Sequence, residues 1–83
     1  MDVLLHPKAA KYLDGLNEPI KSRIKNVLKK LENEPPQGDI KPLSGKSGDY
    51  RLRVGGYRVL FKTDAATIRV YEIGVRGQIY KRS

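Results

Sequence analysis

Residues 50–61 read YRLRVGGYRVLF and decide the fold of this chain. Two runs that alternate apolar and basic residues flank a pair of glycines, Gly55 and Gly56. Glycine accepts the positive φ angles that a two-residue β-turn requires, and alternation of this kind is typical of a strand with one buried face. The stretch therefore predicts a tight β-hairpin.

The two-residue turn also fixes which residues of the hairpin lie opposite each other. Arg53 is expected to stand across from Arg58 on one face, with Arg51 two residues along the same strand. Like charges that lie directly opposite destabilise a sheet unless an anion binds between them, so this face is predicted to bind phosphate. The other face is expected to hold three apolar pairs, which are Val54 with Tyr57, Leu52 with Val59, and Tyr50 with Phe61.

The length and charge of the chain narrow its class. Its 83 residues predict one domain, residues 1–83, with a single modest core. Lysine and arginine total 17 against 9 aspartates and glutamates, and the net charge of +8 favours a polyanionic partner such as nucleic acid. Residues 1–43 include 8 basic and 6 acidic residues, whereas residues 44–83 include 9 and 3. The half with the hairpin is therefore the predicted contact surface.

The composition also indicates in which cellular compartment the protein works. The chain has no cysteine, which excludes disulfides and thiolate metal sites and favours a reducing environment. It has no apolar run of the roughly 20 residues that a membrane span needs, and no apolar N-terminal signal segment. We therefore expect a cytoplasmic protein that does not bind membranes.

The N-terminal half predicts a strand and two helices. Asp2–Leu5 is a short apolar strand, and Pro7 then opens a first helix whose apolar face includes Leu13. Asn17 is the expected cap of a longer second helix with apolar residues at helical spacing. Pro35 and the proline that follows it end this helix.

The other segments predict a sheet. Residues 37–49 are rich in glycine and proline and are expected to form a loop with a short ordered piece at 40–43. Residues 63–67 are a predicted turn, and residues 68–75, apolar on both sides, are typical of a central strand. The fold class is thus α+β, with two N-terminal helices packed on one face of a small, mainly antiparallel sheet. The other face of the sheet is expected to stay open.

Common catalytic arrangements are missing from the sequence. The single histidine, His6, is far along the chain from any nucleophile, which excludes Ser-His-Asp and Cys-His arrangements. The acidic residues are scattered singly, so no site for a divalent metal is expected. The glycines at 55–56 and the Gly-Lys-Ser at 45–47 lack the context of nucleotide-binding loops. We expect neither a metal nor a cofactor.

Four arginines and one tyrosine form the candidate catalytic site. They are Arg51, Arg53, Arg58, Arg76 and Tyr80. Guanidinium groups match phosphate oxygens and offset the negative charge that develops when a phosphodiester is attacked. A tyrosine stacks on an unpaired base. The set fits metal-free RNA cleavage, in which the substrate's own 2′-OH is the nucleophile.

Proton transfer needs a further group, because arginine is a poor general base. Glu72 is the candidate proton acceptor, or the residue that orients an arginine, with an ordinary ion pair as the alternative. Other basic residues are candidates for RNA binding around the site; these are Lys41, Lys46, Lys81 and Arg82.

The hairpin and the segments around it together resemble a known family. The run LSG at 43–45 is followed by DYRLRV at 49–54, GYRV at 56–59, IGVR at 73–76 and IY at 79–80. This order resembles the RelE family of bacterial and archaeal toxins of type II toxin-antitoxin systems. The resemblance covers nearly the whole chain.

The resemblance implies a ribosome-dependent mRNA endonuclease that works in the decoding site, beside ribosomal RNA, and leaves a cyclic phosphate. It assigns the family's catalytic positions to Arg51, Arg53, Arg58 and Arg76, and the stacking tyrosine to Tyr80. It also implies a cognate antitoxin that wraps around the toxin and holds it inactive. Some relatives have lysine at the first two of these positions, or a histidine near the C-terminus that this chain lacks.

Two other functions stay open. ParE-type toxins are similar in fold but bind and inhibit DNA gyrase. A module that binds RNA or an antitoxin without catalysis is the third alternative. The arginine set with Tyr80 favours the nuclease.

Overall fold

A computed structural model describes residues 1–43 and 48–75 of the chain. The elements are, in order, β1 (Asp2–Leu5), α1 (Pro7–Asp14), α2 (Ile20–Lys30), β2 (Asp39–Pro42), β3 (Asp49–Val54), β4 (Tyr57–Asp64) and β5 (Thr67–Val75). The five strands form one sheet in the order β1-β5-β4-β3-β2. Both helices pack on the same face of this mainly antiparallel sheet, which confirms the predicted α+β class.

The predicted hairpin consists of β3 and β4. The two strands pair antiparallel, with Arg53 opposite Arg58 and Leu52 opposite Val59, as the two-residue turn requires. Gly55 has a φ of 58°, a left-handed conformation that glycine adopts without strain. Because side chains alternate along a strand, this register confirms that the arginines and the apolar pairs project to opposite faces.

β5 is the central strand that the sequence predicts at residues 68–75. It lies between β4, with which it pairs antiparallel, and β1, with which it pairs parallel. Leu60 of β4 lies opposite Glu72. The next residue of β4, Phe61, lies opposite Val70, so Tyr71 is the extra residue of a β-bulge. The bulge brings Glu72 to the same face of the sheet as Leu60.

Two short strands form the edges of the sheet. β1 is the predicted N-terminal strand, and at this edge Leu4 is 50% exposed. β2 forms the other edge and lies within the predicted loop at residues 37–49. The short ordered piece expected at 40–43 is therefore an edge strand that begins at Asp39. It forms because Ile40 pairs with Leu52 and packs against the core.

The two helices begin at different kinds of residue. α1 begins at Pro7, as predicted. The prediction for the second helix is wrong, because α2 begins at Ile20 and Asn17 does not cap it. Instead, the carboxylate of Glu18 accepts the backbone N–H of Ser22 at 2.9 Å and satisfies one donor of the first turn. Hydrogen bonds from Ser22 also hold the pKa of Glu18 below its usual value.

One apolar core lies between the helices and the sheet. Its buried members are Ala9, Leu13, Ile24, Leu28, Leu31, Leu52, Val54, Val59, Phe61, Ile68, Val70 and Ile73. Leu60 is also buried, but it projects from the opposite face and does not belong to this cluster. Within residues 1–43 and 48–75, no helix is long and apolar enough to cross a membrane.

Candidate nucleic-acid interface

The sheet face that turns away from the helices is rich in charged residues. Residues that alternate with core positions project from it and, by the strand register, form three rows. The hairpin row is Gly74, Arg58, Arg53 and Asp39; the middle row is Glu72, Leu60, Arg51 and Lys41; the distal row is Leu4, Arg69, Lys62 and Asp49. Successive rows lie about 7 Å apart, because they are two residues apart along each strand. Six of these positions are basic and three are acidic, so we call this surface the basic face.

Arg53 and Arg58 stand opposite each other in the hairpin row, as predicted. The Nε of Arg53 donates a hydrogen bond of 2.6 Å to the Oδ2 of Asp39 on β2. Both side chains of this ion pair are more than a third exposed, so it contributes at most about 1 kcal/mol to stability. Its main effect is to hold the guanidinium group towards the β2 edge. Sequence reasoning missed Asp39, because the pair exists only once β2 is a strand.

Arg58 is buried, with only 4% of its surface exposed. Its Nη1 donates to the carbonyl oxygens of Gly55 at 3.2 Å and Tyr57 at 2.9 Å. Its Nε is buried without a hydrogen-bond partner, and no carboxylate in residues 1–43 and 48–75 forms an ion pair with it. A desolvated cation with an unused donor gains from an anion that reaches it. Gly74, its neighbour on β5, brings no side chain to this point of the face.

Arg51 occupies the middle row between Leu60 and Lys41. It is partly buried and forms no ion pair with a carboxylate in the described part of the chain. Leu60 beside it is 1% exposed. The middle row therefore holds a buried leucine beside a guanidinium group that has no carboxylate partner within residues 1–43 and 48–75. Such a guanidinium group suits a phosphate.

Glu72 lies at the β5 end of the middle row, and its side chain is 13% exposed. The Nζ of Lys8 donates to its Oε1 at 3.1 Å, and this ion pair joins α1 to the sheet. The contact fixes the orientation of the carboxylate. Sequence reasoning did not identify Lys8, because the parallel pairing of β1 with β5 brings α1 to this position and has no local sequence signal.

Five predicted site residues lie outside the part of the chain that the structure describes, and their roles stay predictions. They are Arg76, Tyr80, Lys46, Lys81 and Arg82. The other predicted site residues all project from the basic face. These are Lys41, Arg51, Arg53, Arg58 and Glu72.

The sequence matches a family model over nearly its whole length. The family is described as ParE toxin of type II toxin-antitoxin system, parDE, and the match covers residues 3–80. No curated protein matches the sequence significantly.

Solved structures share the fold. The RelB-RelE antitoxin-toxin complex from Methanococcus jannaschii aligns with a TM-score of 0.80 at 27% identity, over 95% of this chain and 96% of that one. The archaeal RelE-RelB complex from Pyrococcus horikoshii OT3 aligns with a TM-score of 0.77 at 27% identity, over 93% and 96%. The isolated E. coli RelE toxin aligns with a TM-score of 0.77 at 18% identity, over 98% and 92%, which is a similarity of fold alone.

Proposed function

This chain is a toxin of the RelE/ParE superfamily of type II toxin-antitoxin systems, and we propose that it cleaves messenger RNA in the decoding site of the ribosome without a metal ion. The resemblance of its arginine set to that of RelE toxins supports this proposal. A cognate antitoxin is the proposed protein partner, in keeping with the antitoxin-toxin complexes among its structural relatives.

One observation carries the proposal: three arginines of the predicted set lie together on a sheet face that neither α1 nor α2 covers. Arg53 and Arg58 are directly opposite each other, and Arg51 is two residues along β3. Because adjacent rows lie only about 7 Å apart, an RNA backbone along the hairpin strands meets all three guanidinium groups. Such a cluster binds phosphate and stabilises the negative charge that develops on it in the transition state.

The proposed reaction needs little beyond position and charge. The 2′-OH attacks the neighbouring phosphorus and the P–O5′ bond breaks, which gives a 2′,3′-cyclic phosphate and a 5′-hydroxyl. The 2′-oxygen loses one proton and the O5′ gains one. Arg51 and Arg58 stabilise the charge on the phosphorane, and Arg53 positions the strand. Arg76 is proposed to add charge and Tyr80 to stack on a base.

Glu72 has a positioning role in this proposal. Lys8 already occupies one of its carboxylate oxygens, and the ion pair fixes the middle row beside Arg51. Proton transfer from the 2′-OH is therefore assigned to another group in the complex of toxin, message and ribosome.

A second candidate function is inhibition of DNA gyrase. The description of the matched family as the ParE toxin of parDE systems favours it. That function requires a surface that binds a protein, so the arginines of the basic face need not act on a phosphodiester.

A ribosome cleavage assay tests the proposed function. Purified toxin is added to ribosomes that carry a defined message, and the cut ends are mapped by primer extension. We expect Arg51→Ala and Arg58→Ala each to slow cleavage by about 100-fold or more, because each removes a hydrogen-bond donor that stabilises the negative charge of the transition state. Lys29→Ala is the matched control, since it removes one positive charge from an exposed position of α2, on the helix side of the sheet, and should leave the rate unchanged.

The outcomes separate the candidate functions. Unchanged cutting by both Arg51→Ala and Arg58→Ala rejects the site assignment. A wild-type protein that leaves message intact but blocks supercoiling of plasmid DNA by gyrase supports the ParE-type function. A wild-type protein that does neither, yet binds its antitoxin, supports the module without catalysis.

A further inference from the structure

A groove of about 770 Å³ lies at the end of the basic face that is remote from the hairpin turn. It follows the distal row, where Asp49, Lys62 and Arg69 stand side by side on β3, β4 and β5. Its apolar wall consists of Leu4, Leu5, Pro7 and Val70. A cavity of this size accommodates a small ligand of nucleotide dimensions. We call it the distal groove.

Asp49 brings an unsatisfied acceptor to this groove. The residue is 6% exposed, and its Oδ1 is buried without a hydrogen-bond partner in residues 1–43 and 48–75. Lys62 lies directly across from it on β4, yet no ion pair joins the two within the described part of the chain. The amine of Lys62 lies instead over the ring of Tyr71, 5.8 Å from its centroid. A buried acceptor without a protein partner at the wall of a ligand-sized groove is a place where a ligand can supply the donor.

The other groups of the distal groove fit the remaining parts of a nucleotide. Lys62 and Arg69 give it positive charge, which attracts phosphate and repels a basic peptide. Tyr71 adds an aromatic ring that is partly exposed. Burial, followed by the charges of Asp49 and Glu72, raises the pKa of Tyr71, so its hydroxyl stays a neutral donor. Cations, an aromatic ring and an acceptor together are the usual means of binding an unpaired base.

We propose that the distal groove binds one unpaired guanine of the RNA strand that crosses the basic face, with Asp49 accepting hydrogen bonds from guanine N1–H and N2–H. This inference rests on the proposed function and adds a base preference to it. The distal row lies two rows, about 13 Å, from Arg53 and Arg58. The guanine therefore belongs to a nucleotide that flanks the one that is cut.

Guanine is the base that matches a carboxylate. An ionised aspartate only accepts hydrogen bonds, and its two oxygens require two donors side by side. Guanine presents N1–H and N2–H next to each other on its Watson–Crick edge. Adenine and cytosine place an acceptor nitrogen beside their amino group, and uracil places its N–H between two carbonyl oxygens, so each of them meets the carboxylate with a repulsive acceptor.

A binding comparison tests the inference with the full-length toxin. A fluorescent five-nucleotide RNA with 2′-O-methyl sugars, which cannot be cut, has either guanine or inosine at its centre, and affinity is measured by anisotropy. Inosine lacks only the N2 amino group. We expect wild-type protein to bind the guanine RNA about tenfold more tightly, the effect of one hydrogen bond to a charged group.

The variant Asp49→Asn separates base recognition from general charge. If Asp49 holds the guanine, the variant binds the guanine RNA about tenfold more weakly than wild type, because the new amide N–H faces guanine N2–H. It binds the inosine RNA no more weakly, because the amide oxygen still accepts inosine N1–H and a negative charge has been removed. Asp39→Asn, on the same face, is the matched control and should change both affinities by the same factor. Circular dichroism melting of each variant establishes that it is folded.

Three results overturn the inference. The first is equal affinity of wild-type toxin for the two RNAs, a comparison that needs no variant. The second is tighter binding of both RNAs by Asp49→Asn, as expected of a bystander acid. The third is an Asp49→Asn variant that loses antitoxin binding while it still distinguishes guanine from inosine, which would mark the groove as a protein-binding site.

The binding assay and the cleavage assay fail independently. Wild-type toxin that cuts no message defeats the nuclease proposal. Wild-type toxin that cuts message at the same rate with guanine or inosine at every position near the cut retains the nuclease but has no guanine site.

Discussion

Arg58 combines two roles at the scale of a single residue. Its Nη1 joins the carbonyl oxygens of Gly55 and Tyr57, which ties the guanidinium group to the turn of the hairpin. Its buried Nε remains unused. The hydrogen bonds that stabilise the turn therefore also fix the position of a positive charge on the basic face. A planar set of donors provides this fixed position, which a flexible lysine does not.

The variant Arg58→Lys tests this dual role. Lysine keeps the charge but loses the planar donors, so we expect the free energy of unfolding to fall by about 1–3 kcal/mol. Urea denaturation measures this change. Arg51→Lys is the matched control, because Arg51 is partly buried and forms no ion pair with any residue that the structure describes. The free energy of unfolding of this variant should change by less than about 0.5 kcal/mol. Equal stabilities of the two variants would contradict the structural role of Arg58.

The sequence predicts some residues of the interface and not others, for a physical reason. The opposition of Arg53 and Arg58 follows from the turn between them and needs no knowledge of the rest of the chain. Lys8, Asp39 and Asp49 gain their importance from neighbours that are distant in sequence. A single charge in a helix or a loop has no periodic signal, so only the tertiary structure identifies such residues.

At the scale of elements, prediction succeeds where the signal is local. The glycine pair and the alternating runs around it define β3 and β4. β2 has only four residues and forms because its Ile40 pairs with Leu52, so its composition suggests a loop. The start of α2 is displaced from Asn17 because Glu18 supplies the side-chain acceptor for the first turn.

Substitution of the two turn glycines distinguishes their roles. Gly55 has a φ of +58°, and Gly56 has no positive φ and no atom within 4 Å of the place where a Cβ would lie. We therefore expect Gly55→Ala to lower the free energy of unfolding by about 1–2 kcal/mol, the cost of a left-handed alanine. Gly56→Ala should be neutral or slightly stabilising. Thermal and urea unfolding measure both variants, and equal losses of stability would show that the turn has another conformation.

At the scale of the whole molecule, the sheet separates the apolar core from the proposed RNA-binding surface. Its helix side buries the core, and its other side carries a cluster of cations. The three arginines of the hairpin lie on this second surface, whereas the lysines of α1 and α2 add positive charge on the helix side. Association with a polyanion through such a surface depends strongly on salt, because each phosphate contact releases counterions.

The salt dependence of RNA binding reports the number of phosphate groups that the protein contacts. If Arg51, Arg53 and Arg58 each neutralise one phosphate of single-stranded RNA, the logarithm of the binding constant should fall with the logarithm of salt concentration with a slope of about −2. Anisotropy titrations in sodium chloride measure the slope. Arg51→Ala should reduce it by about 0.7, whereas Lys29→Ala on α2 should leave it unchanged. A slope near zero for the wild-type protein would contradict phosphate recognition by the basic face.

The sequence also predicts that helices pack on one face of the sheet, but it does not predict which strands are neighbours. The apolar stripe of α2 and the one-sided apolar pattern of the hairpin are sufficient to place helices on one face. The parallel pairing of β1 with β5 follows from packing across the whole chain, and neither strand has a feature that specifies its partner.

The parallel pairing of β1 with β5 has a consequence for how the chain folds during its synthesis. Asp2 lies beside Thr67, so β1 has no strand partner until β5, more than 60 residues later in the chain, has been synthesised. A nascent chain that has reached only the hairpin has an open sheet edge where β5 belongs, and α1 lacks the strand with which it makes most of its contacts. The sheet therefore stays unfinished on the ribosome until residues Thr67–Val75 have been made, and β1 and α1 can complete their packing only after that point.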